Sequence, residues 1–334
     1  MIQKEHTTES EWDEVCEFNR YLLSDFIQNS AELSPKTRYV YESNLKMWFV
    51  WVKSNLKNKR QIDITPLEYK RFQNWMLNRG CSSSDINNKR AAISSLNNYI
   101  EIYYHDEYPT FRNFINKSIK RPPKTVVNEK QPLTKDEFNK LIEVLAERDE
   151  WQKIAYLVFT LDTGCRRAES RQLLKNVIET TPVRRSKKIV RADGSVENRE
   201  VIFYRTHPIR CKGAGAEGKI RRFTFSEHTM QALRKWIEQR GEDDSPYMFI
   251  SKYGGKVHQV SETLFNIWAK DVFTPIVGRR VHPHQMRTSR ATQLAEDGVD
   301  IEVVRKLLGH ENASTTAGYI VRDDTEDLDE LYLE

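Results

Sequence analysis

Apolar residues recur at helical spacing through the first 120 positions of the chain. One stripe consists of Val15, Phe18, Leu22 and Phe26, and a second consists of Tyr41, Leu45, Trp48, Phe49 and Val52. Because positions three and four apart lie on one face of a helix, these stripes predict two amphipathic helices. Ser34-Pro35 precedes the second stripe as an N-cap followed by a proline in the first turn.

Two further helices are predicted in the same region. Thr65-Pro66-Leu67-Glu68 is a capping box that opens a third helix, which ends near Gly80. The serines before Asp85 open a fourth helix. The predicted inward positions of these two helices are Tyr69, Phe72, Met76, Ile93, Leu96, Ile100 and Tyr103. Since no strand pattern interrupts them, residues 1–119 are predicted to form a helical bundle.

Residues 120–131 are predicted to link two domains. Pro122-Pro123 stops any helix, and Lys120 and Arg121 add to the basic charge of the segment. The segment is either a plain connector or an extended basic strap along a phosphate backbone. The second domain, residues 132–334, begins at a capping box, Thr134-Lys135-Asp136-Glu137, followed by Phe138, Leu141 and Leu145 on one helix face.

The second domain mixes helices with short strands. An apolar helix over residues 154–161 leads to Thr163-Gly164. Residues 187–191 and 201–204 flank an Asp-Gly hairpin turn, and residues 220–225 return as a strand from a second turn at 213–218. A short strand over 247–251 precedes Gly254-Gly255, and further helices begin at Ser226 and Ser261. The predicted fold class is mainly α, with a small antiparallel β-sheet in the C-terminal α+β domain.

Composition narrows the class of protein only modestly. A chain of 334 residues is long for one hydrophobic core and favours two domains. The net charge of +5 permits binding to nucleic acid without requiring it. The four cysteines are interpreted as free buried thiols, because no Cys-x-x-Cys pair supports a zinc site or a disulfide framework; they are Cys16, Cys81, Cys165 and Cys211. A polar N-terminus and the lack of a long apolar run favour a soluble intracellular protein.

Residues 282–320 carry more polar chemistry than a helical hairpin needs. Ile301, Val304 and Leu308 repeat at helical spacing between Asp300, a good N-cap, and Gly309, a helix terminator. Burial of a hairpin explains these apolar residues. It does not explain the polar residues that accompany them, which are His284, Arg287, His310 and Tyr319. His284 and Arg287 are three positions apart, so on a helix they share a face.

Four motifs stand in series in this domain. They are Thr163-Gly164-Cys165-Arg166-Arg167-Ala168-Glu169, then Lys212-Gly213 with Lys219 and Arg222, then His284-x-x-Arg287, and finally Leu308-Gly309-His310 with Thr315-Thr316-x-x-Tyr319. Each alone is a weak signal, but the four in this order resemble the tyrosine recombinases, the phage integrase family. The resemblance covers the chain from about residue 134 to residue 320, and the N-terminal part is similar only in general character.

The resemblance implies a site-specific DNA recombinase that cleaves and rejoins DNA through a 3′-phosphotyrosine intermediate, without a metal or other cofactor. Tyr319 would be the nucleophile. Arg166 and Arg287 would offer forked donors to the non-bridging phosphate oxygens, with Glu169 supporting the first arginine. His284 would manage the tyrosine proton, His310 would donate a hydrogen bond to the phosphate, and Lys212 would protonate the departing 5′ oxygen.

The lysine assignment is less direct than the others. Lys212 is preferred to Lys219 because it enters the hairpin turn, and Arg166 is preferred to Arg167 because it stands two after Gly164. The segment between Arg166 and Lys212 is longer than the family usually needs, and it is interpreted as an elaborated hairpin that reaches DNA or a neighbouring subunit. Its basic residues include Arg184, Arg185, Lys187 and Lys188. Thr288 replaces a second histidine common in the family, at a position outside the essential set.

The implied partners are double-stranded DNA with specific recombination sites and a homotetramer on two duplexes. The candidate DNA contacts are Lys36, Arg38, Lys89, Arg90, Lys120 and Arg121, which an ordinary solvated surface would also explain. The C-terminal tail, residues 323–334, carries Leu328, Leu331 and Tyr332 at helical spacing. This stripe packs either on its own domain or in trans on a neighbouring protomer.

Two other functions remain open. A type IB topoisomerase-like nicking and closing enzyme would use similar chemistry without a tetramer. A catalytically inactive DNA-binding regulator would have no reason to keep the tyrosine. A two-domain recombinase is favoured, since too little chain precedes residue 12 for an arm-binding domain. It is expected in the cytoplasm, associated with the nucleoid, and integration, excision, resolution and transposition all remain possible roles.

Overall fold

The computed structural model describes residues 7–115, 119–123, 131–190, 196–213 and 218–321. These residues form two compact units: the residues up to position 129, together with Gly213, belong to the first, and the others belong to the second. Ile119 is the last buried apolar residue of the first core, and Leu133 is the first of the second core. The segment predicted to link two domains therefore lies between the last and first members of two separate cores.

The first unit is built from helices. They are α1 (Glu9–Asp13), α2 (Glu17–Gln28), α3 (Pro35–Asn55), α4 (Pro66–Asn78) and α5 (Ser83–Tyr103), with a 3-10 turn at Gln61–Asp63. The predicted caps open three of them: the Ser34 and Ser82 hydroxyls accept from main-chain N–H groups, and Thr65 and Glu68 form a reciprocal capping box. Unsatisfied N–H groups of the first turn are thereby paired, which fixes where each helix starts.

The core of the first unit follows the predicted stripes with one exception. Trp48, Phe72 and Ile93 are fully buried. Tyr103, predicted to point inward, is 71% exposed, so that prediction is wrong. The physical reason is that the neighbouring tyrosines, Tyr99 and Tyr104, take the inward contacts at this end of α5 and donate hydrogen bonds to one carboxylate oxygen of Asp25 on α2, each 2.7 Å long.

The second unit contains the remaining helices. They are α6 (Lys135–Glu147), α7 (Trp151–Thr163), α8 (Arg167–Ser170), α9 (Glu227–Arg240), α10 (Glu262–Ile267), α11 (Thr274–Val277), α12 (Gln285–Glu296), α13 (Ile301–Leu308) and α14 (Ala313–Ala317). A π-helical turn at Trp268–Phe273 joins α10 to α11, and a 3-10 turn lies at Lys175–Glu179. Helix α7 packs against α6, α9 and α12, and most of its residues are buried.

The strands form small antiparallel sheets, which together with the helices confirms the predicted fold class. The strands are β1 (Val183–Val190), β2 (Val196–Arg205), β3 (Ile209–Cys211), β4 (Lys219–Arg221), β5 (Thr224–Ser226), β6 (Ile250–Tyr253) and β7 (Lys256–Gln259). Their order is β1-β2-β5 in one sheet, β3-β4 in a second and β6-β7 in a third. Gly254 and Gly255 occupy the turn between β6 and β7 with positive φ, as predicted.

The strand predicted over residues 220–225 is in fact two strands in different sheets. Between them Phe223 donates its N–H to the Thr206 hydroxyl, and its carbonyl accepts from the Thr206 N–H. These bonds to the β2–β3 connection carry the chain from one sheet to the other. The first hairpin is also longer than predicted, since β1 begins at Val183. Its predicted Asp-Gly turn lies outside the described residues.

The cysteines follow the prediction only in part. Cys165 and Cys211 are buried free thiols, as predicted, whereas Cys16 and Cys81 are only half-buried. Both of the half-buried cysteines flank helices of the first unit instead of lying in its core. None of the helices in the described part of the chain is long and apolar enough to span a bilayer.

Candidate active site

The first motif forms a turn that presents Arg166. Gly164 ends α7 with φ +60°, and a Cβ there would lie 2.7 Å from a methyl carbon of Leu308, so glycine is required twice over. Two residues later Arg166 caps α8. Arg166 lies just ahead of α8, and Glu169 reaches back to it from within the helix.

Glu169 fixes the orientation of Arg166 with both carboxylate oxygens. One accepts the Arg166 main-chain N–H at 2.7 Å, and the other accepts Nη1 of the guanidinium at 2.9 Å. Glu169 is only 1% exposed. A buried carboxylate with two charge-assisted bonds is a strong restraint on the arginine it holds.

Arg287 is the most deeply buried charge of the site. It lies in the first turn of α12, and its side chain has no exposed surface. Nη1 donates to the carbonyl of Gly164 at 2.6 Å, and Nη2 donates to the carbonyl of Leu308 at 2.6 Å. Its Nε is also buried and has no hydrogen-bond partner among the described residues. A buried donor without a partner is costly, and an anion is the natural acceptor for it.

The geometry defines the tautomer of His310. Nη2 of Arg287 lies 2.7 Å from Nε2 of His310, and an arginine can only donate, so Nε2 is the acceptor. The other ring nitrogen, Nδ1, then carries the proton and donates to the hydroxyl of Thr316 at 3.0 Å. His310 is thus neutral in this arrangement and helps to hold Arg287.

Tyr319 lies where the two histidines and Arg287 meet. Its hydroxyl is 2.6 Å from Nε2 of His284, which caps α12 and does not lie within it. The tyrosine ring packs 4.9 Å from the His310 ring, and the Arg287 guanidinium carbon lies 5.4 Å from the ring centre. Of the predicted His-x-x-Arg pair, His284 therefore contacts the tyrosine hydroxyl, and Arg287 lies over the tyrosine ring.

The electrostatics of the site favour a bound anion. Burial, followed by the nearby charge of Arg166, lowers the pKa of Arg287 to about 10. Burial and the charges of Arg287 and Arg166 lower the pKa of His310 to about 4. Burial is the larger cause of both shifts, and the neighbouring positive charges add to it; a bound phosphate would offset that repulsion between like charges. Across the described ranges, no group of three or more His, Cys, Asp or Glu side chains could hold a metal.

Comparison with known proteins shows the family of the chain. The model of the phage integrase family matches residues 131–326. The SPbeta prophage-derived recombinase-like protein YomM of Bacillus subtilis (strain 168) is 34% identical over 338 residues, covering 99% of this chain and 96% of that protein. The chain belongs to the phage integrase family.

Further matches place the enzyme among the tyrosine recombinases. A tyrosine recombinase of Thermosipho africanus (strain TCF52B) is 24% identical over 310 residues, covering 92% of this chain and 96% of that protein. The XerH site-specific recombinase bound to a palindromic difH substrate has the same fold, with a TM-score of 0.64 at 15% identity, covering 100% of this chain and 99% of that one. The protein is a site-specific DNA recombinase, and the topoisomerase-like and regulator alternatives are not favoured.

Lys212 is not brought into contact with the other candidate residues of the recombinase. It is exposed and follows β3 directly, next to the buried Cys211. Within the described ranges it makes no hydrogen bond to Arg166, Arg287 or Tyr319. The rival, Lys219, forms an exposed ion pair with Glu311, with 2.6 Å between Nζ and Oε1.

The candidate DNA contacts of the first unit fall into two groups. Lys89 and Arg90 are buried: Lys89 forms an ion pair with Asp85, and Arg90 lies over the ring of Tyr69. The other four offer more surface to a phosphate, with Arg38 half-buried and the rest exposed; they are Lys36, Arg38, Lys120 and Arg121. Structural roles therefore compete with DNA binding most strongly at Lys89 and Arg90.

Two further residues contact the site but were assigned no role from the sequence. Thr316 is fully buried and accepts from His310. Arg221 donates to the carbonyls of α13, beside Gly309. A signal for Arg221 was present, because alternate residues of a strand share a face, which groups Arg221 and not Arg222 with Lys219.

The buried neutral state of His310 predicts a specific dependence of stability on pH. The folded protein holds the pKa of His310 at about 4, below the ordinary value of 6.5, so the unfolded chain takes up the proton first as pH falls. The free energy of unfolding should therefore decrease between pH 6.5 and about 4. Urea denaturation at several pH values should show a shallower decrease in His310→Gln than in the wild type, and identical slopes would contradict the neutral state assigned to His310.

Proposed function

We propose that the recombinase uses Tyr319 as the nucleophile that breaks the DNA strand. The observation that carries this proposal is the distance of 2.6 Å between the Tyr319 hydroxyl and Nε2 of His284, beside two arginines. In the tautomer with an unprotonated Nε2, His284 accepts the tyrosine proton during attack. General base catalysis requires this reach of one hydrogen bond.

The tyrosine oxygen attacks the phosphorus and forms a new P–O bond, while the bond to the 5′ oxygen breaks. The DNA 3′ end then remains linked to Tyr319, and the other end carries a free 5′-hydroxyl. That hydroxyl, or one from a second duplex, attacks the phosphotyrosine and restores the phosphodiester. Because the bond count is conserved in each step, rejoining needs no external energy source.

Arg166 and Arg287 are proposed to stabilise the pentacoordinate phosphate. The buried Nε of Arg287 has no partner among the described residues, so it has a donor to offer. Arg166 is held by Glu169 through Nη1, with the rest of its fork in a side chain that is 25% exposed. Donors fixed in place before the reaction stabilise developing charge without reorganisation.

His310 is proposed to act in two ways. Its first task is to orient Arg287, since Nε2 accepts from that guanidinium. The predicted hydrogen bond from His310 to the phosphate requires a proton on Nε2. A bound phosphate would favour that proton, because a negative charge raises the pKa of a nearby imidazole.

Lys212 is proposed as the general acid that protonates the departing 5′ oxygen. Lys219 is engaged with Glu311, although an exposed pair of this kind is a weak constraint. Lys212 is exposed at the end of β3, so its side chain is accessible to a bound substrate. The contact between Lys212 and the scissile phosphate is therefore proposed to form when DNA binds.

The assembly and its setting are also proposals. We infer a homotetramer on two duplexes with specific recombination sites, because strand exchange requires two sites held together. The exposed basic residues of the first unit, notably Lys36, Lys120 and Arg121, are proposed to bind the phosphate backbone. A cytoplasmic location at the nucleoid and an origin in a mobile genetic element fit such a substrate and the similarity to a prophage-derived protein.

Replacing Tyr319 should separate attack on the DNA phosphate from binding of the DNA site. Tyr319→Phe removes only the attacking oxygen, so the variant should bind its DNA site normally and form no covalent protein–DNA complex. Denaturing gels of protein bound to labelled DNA measure this directly. Tyr332→Phe in the tail is the matched control, and adducts lost in Tyr332→Phe but kept in Tyr319→Phe would move the nucleophile to the tail.

DNA with a better leaving group at the 5′ position tests whether Lys212 is the general acid. Lys212→Ala should slow cleavage of normal DNA by about 10²- to 10⁴-fold, the usual contribution of a general acid. DNA with sulfur at the 5′ bridging position should restore most of the rate, because a thiol has a pKa near 8.5 and needs no acid to leave.

Two control variants accompany the lysine test. Arg287→Ala should not be rescued by sulfur, because its charge acts on the non-bridging oxygens. Rescue of Lys219→Ala in place of Lys212→Ala would show that the wrong lysine was chosen. If neither lysine variant is rescued, the hairpin does not supply the acid.

The tail prediction tests assembly. Residues 323–334 lie outside the described residues, and we propose that their apolar stripe packs on a neighbouring protomer. Deleting them should leave binding to one site intact and reduce synaptic complexes measured by native gel or light scattering. An unchanged population of synaptic complexes would reject packing in trans.

A further inference from the structure

Helix α13 ends at Leu308, two residues before His310, and side chains from other elements bind its last carbonyls. Its last carbonyls lack partners within the helix, as at every helix end. The N–H groups of Gly309 and His310 both donate to the carbonyl of Arg305, and the N–H of Gly309 also donates to the carbonyl of Lys306 at 3.2 Å. The carbonyls of Lys306, Leu307 and Leu308 accept from side chains of other elements.

One side chain supplies a bond to each of these three carbonyls. Nη1 of Arg221, on β4, donates to Leu308 at 3.1 Å, and Nη2 donates to Leu307 at 2.7 Å and to Lys306 at 3.0 Å. The positive charge also faces the negative end of the helix. Arg221 therefore acts as the C-terminal cap of α13, although it lies 85 or more positions away in the sequence.

The carbonyl of Leu308 that Arg221 caps is also a hydrogen-bond acceptor for Arg287. It accepts both from Nη1 of Arg221 and from Nη2 of Arg287. Nη2 of Arg287 also donates to His310, two residues beyond Leu308. Any shift of this one oxygen would therefore alter the aim of Arg287 and the position of His310 together.

We propose that Arg221 is a positioning residue of the recombinase, which fixes the Leu308 carbonyl and thereby orients Arg287 and His310. This inference rests on the proposed function, because it assigns those two residues to the scissile phosphate. It distinguishes Arg221 from Arg222, whose Nη1 donates to the Thr206 carbonyl on the other side of the strand.

The space around Gly309 independently shows that Arg221 packs closely against the end of α13. Its φ of +68° favours glycine, and a Cβ at this position would come closer than 3.0 Å to the Arg221 guanidinium. A flexible arginine could normally move away from such a contact at little cost. Here it would have to give up its three carbonyl bonds, so the side chain of residue 309 and the position of Arg221 are coupled.

The first test compares binding with cleavage. Arg221→Met should slow formation of the covalent complex by about 100-fold, the effect of displacing a reacting geometry by about 1 Å. Affinity for the DNA site, measured by gel shift, should change little. Arg221→Lys should lie between Arg221→Met and the wild type, because it keeps the charge and loses the fork. The matched control, Arg222→Met, should cleave like the wild type.

The sulfur substrate identifies the route by which Arg221 acts. If Arg221 positions Arg287, Arg221→Met stays slow on 5′-bridging sulfur DNA, as Arg287→Ala does. Rescue by sulfur would show that Arg221 acts through the hairpin and Lys212, and it would overturn the proposal. Cleavage by Arg221→Met at the wild-type rate would overturn it too, while leaving the role of Tyr319 untouched.

A double-mutant cycle remains informative if Arg221→Met loses stability. Gly309→Ala should destabilise the wild type more than it destabilises the Arg221→Met variant, since the collision with the guanidinium is then gone. Thermal melting of the four proteins measures this coupling, and additive effects are expected only for residues that do not touch. Additivity would remove the structural basis of the proposal.

Discussion

The candidate active site depends on the burial of one guanidinium group, that of Arg287. Arg287 has no exposed surface, and a charge in that position requires hydrogen-bond acceptors for most of its donors. The pairing is with the carbonyls of Gly164 and Leu308 and with His310. These acceptors come from the end of α7, the end of α13 and the turn before α14, so satisfying one charge brings three separate motifs together. Gly164 and Gly309, both in the left-handed conformation, end α7 and α13, the two helices whose terminal carbonyls accept from Arg287.

Much of this could be predicted from the sequence because its determinants are local. Capping boxes and N-caps are set by residues three apart, so helices such as α4, α6 and α13 begin at the predicted positions. The signature residues could be named because their spacing is fixed by the turns that hold them. Where the prediction failed, the cause was long-range. The strand over 220–225 is divided by bonds to Thr206, and Tyr103 turns outward because Asp25 engages its neighbours.

The residues that support the site could not be predicted from sequence patterns, for a similar reason. A carbonyl oxygen has no side-chain identity, so no motif marks Gly164 or Leu308 as acceptors for Arg287. Thr316 differs from its neighbour Thr315 only by facing inward, which the helix α14 decides. The tautomer of His310 follows from its partners, since Arg287 must donate and Thr316 can accept. Such properties belong to the assembled site and not to any one segment.

The first hairpin lies between two parts of the candidate active site and pairs with the rest of its sheet at one end only. Strand β2 pairs with β5 only through its last three residues, Phe203 to Arg205, whereas its pairing with β1 continues to Val196. Exposed residues such as Arg185 and Val201 lie opposite each other in that outer part. Additional pairs of residues could therefore be inserted into the hairpin or deleted from it during evolution without shifting β3 or the turn that presents Arg166. The closing of a longer loop costs little free energy, so a change in the length of this hairpin would disturb the rest of the domain little.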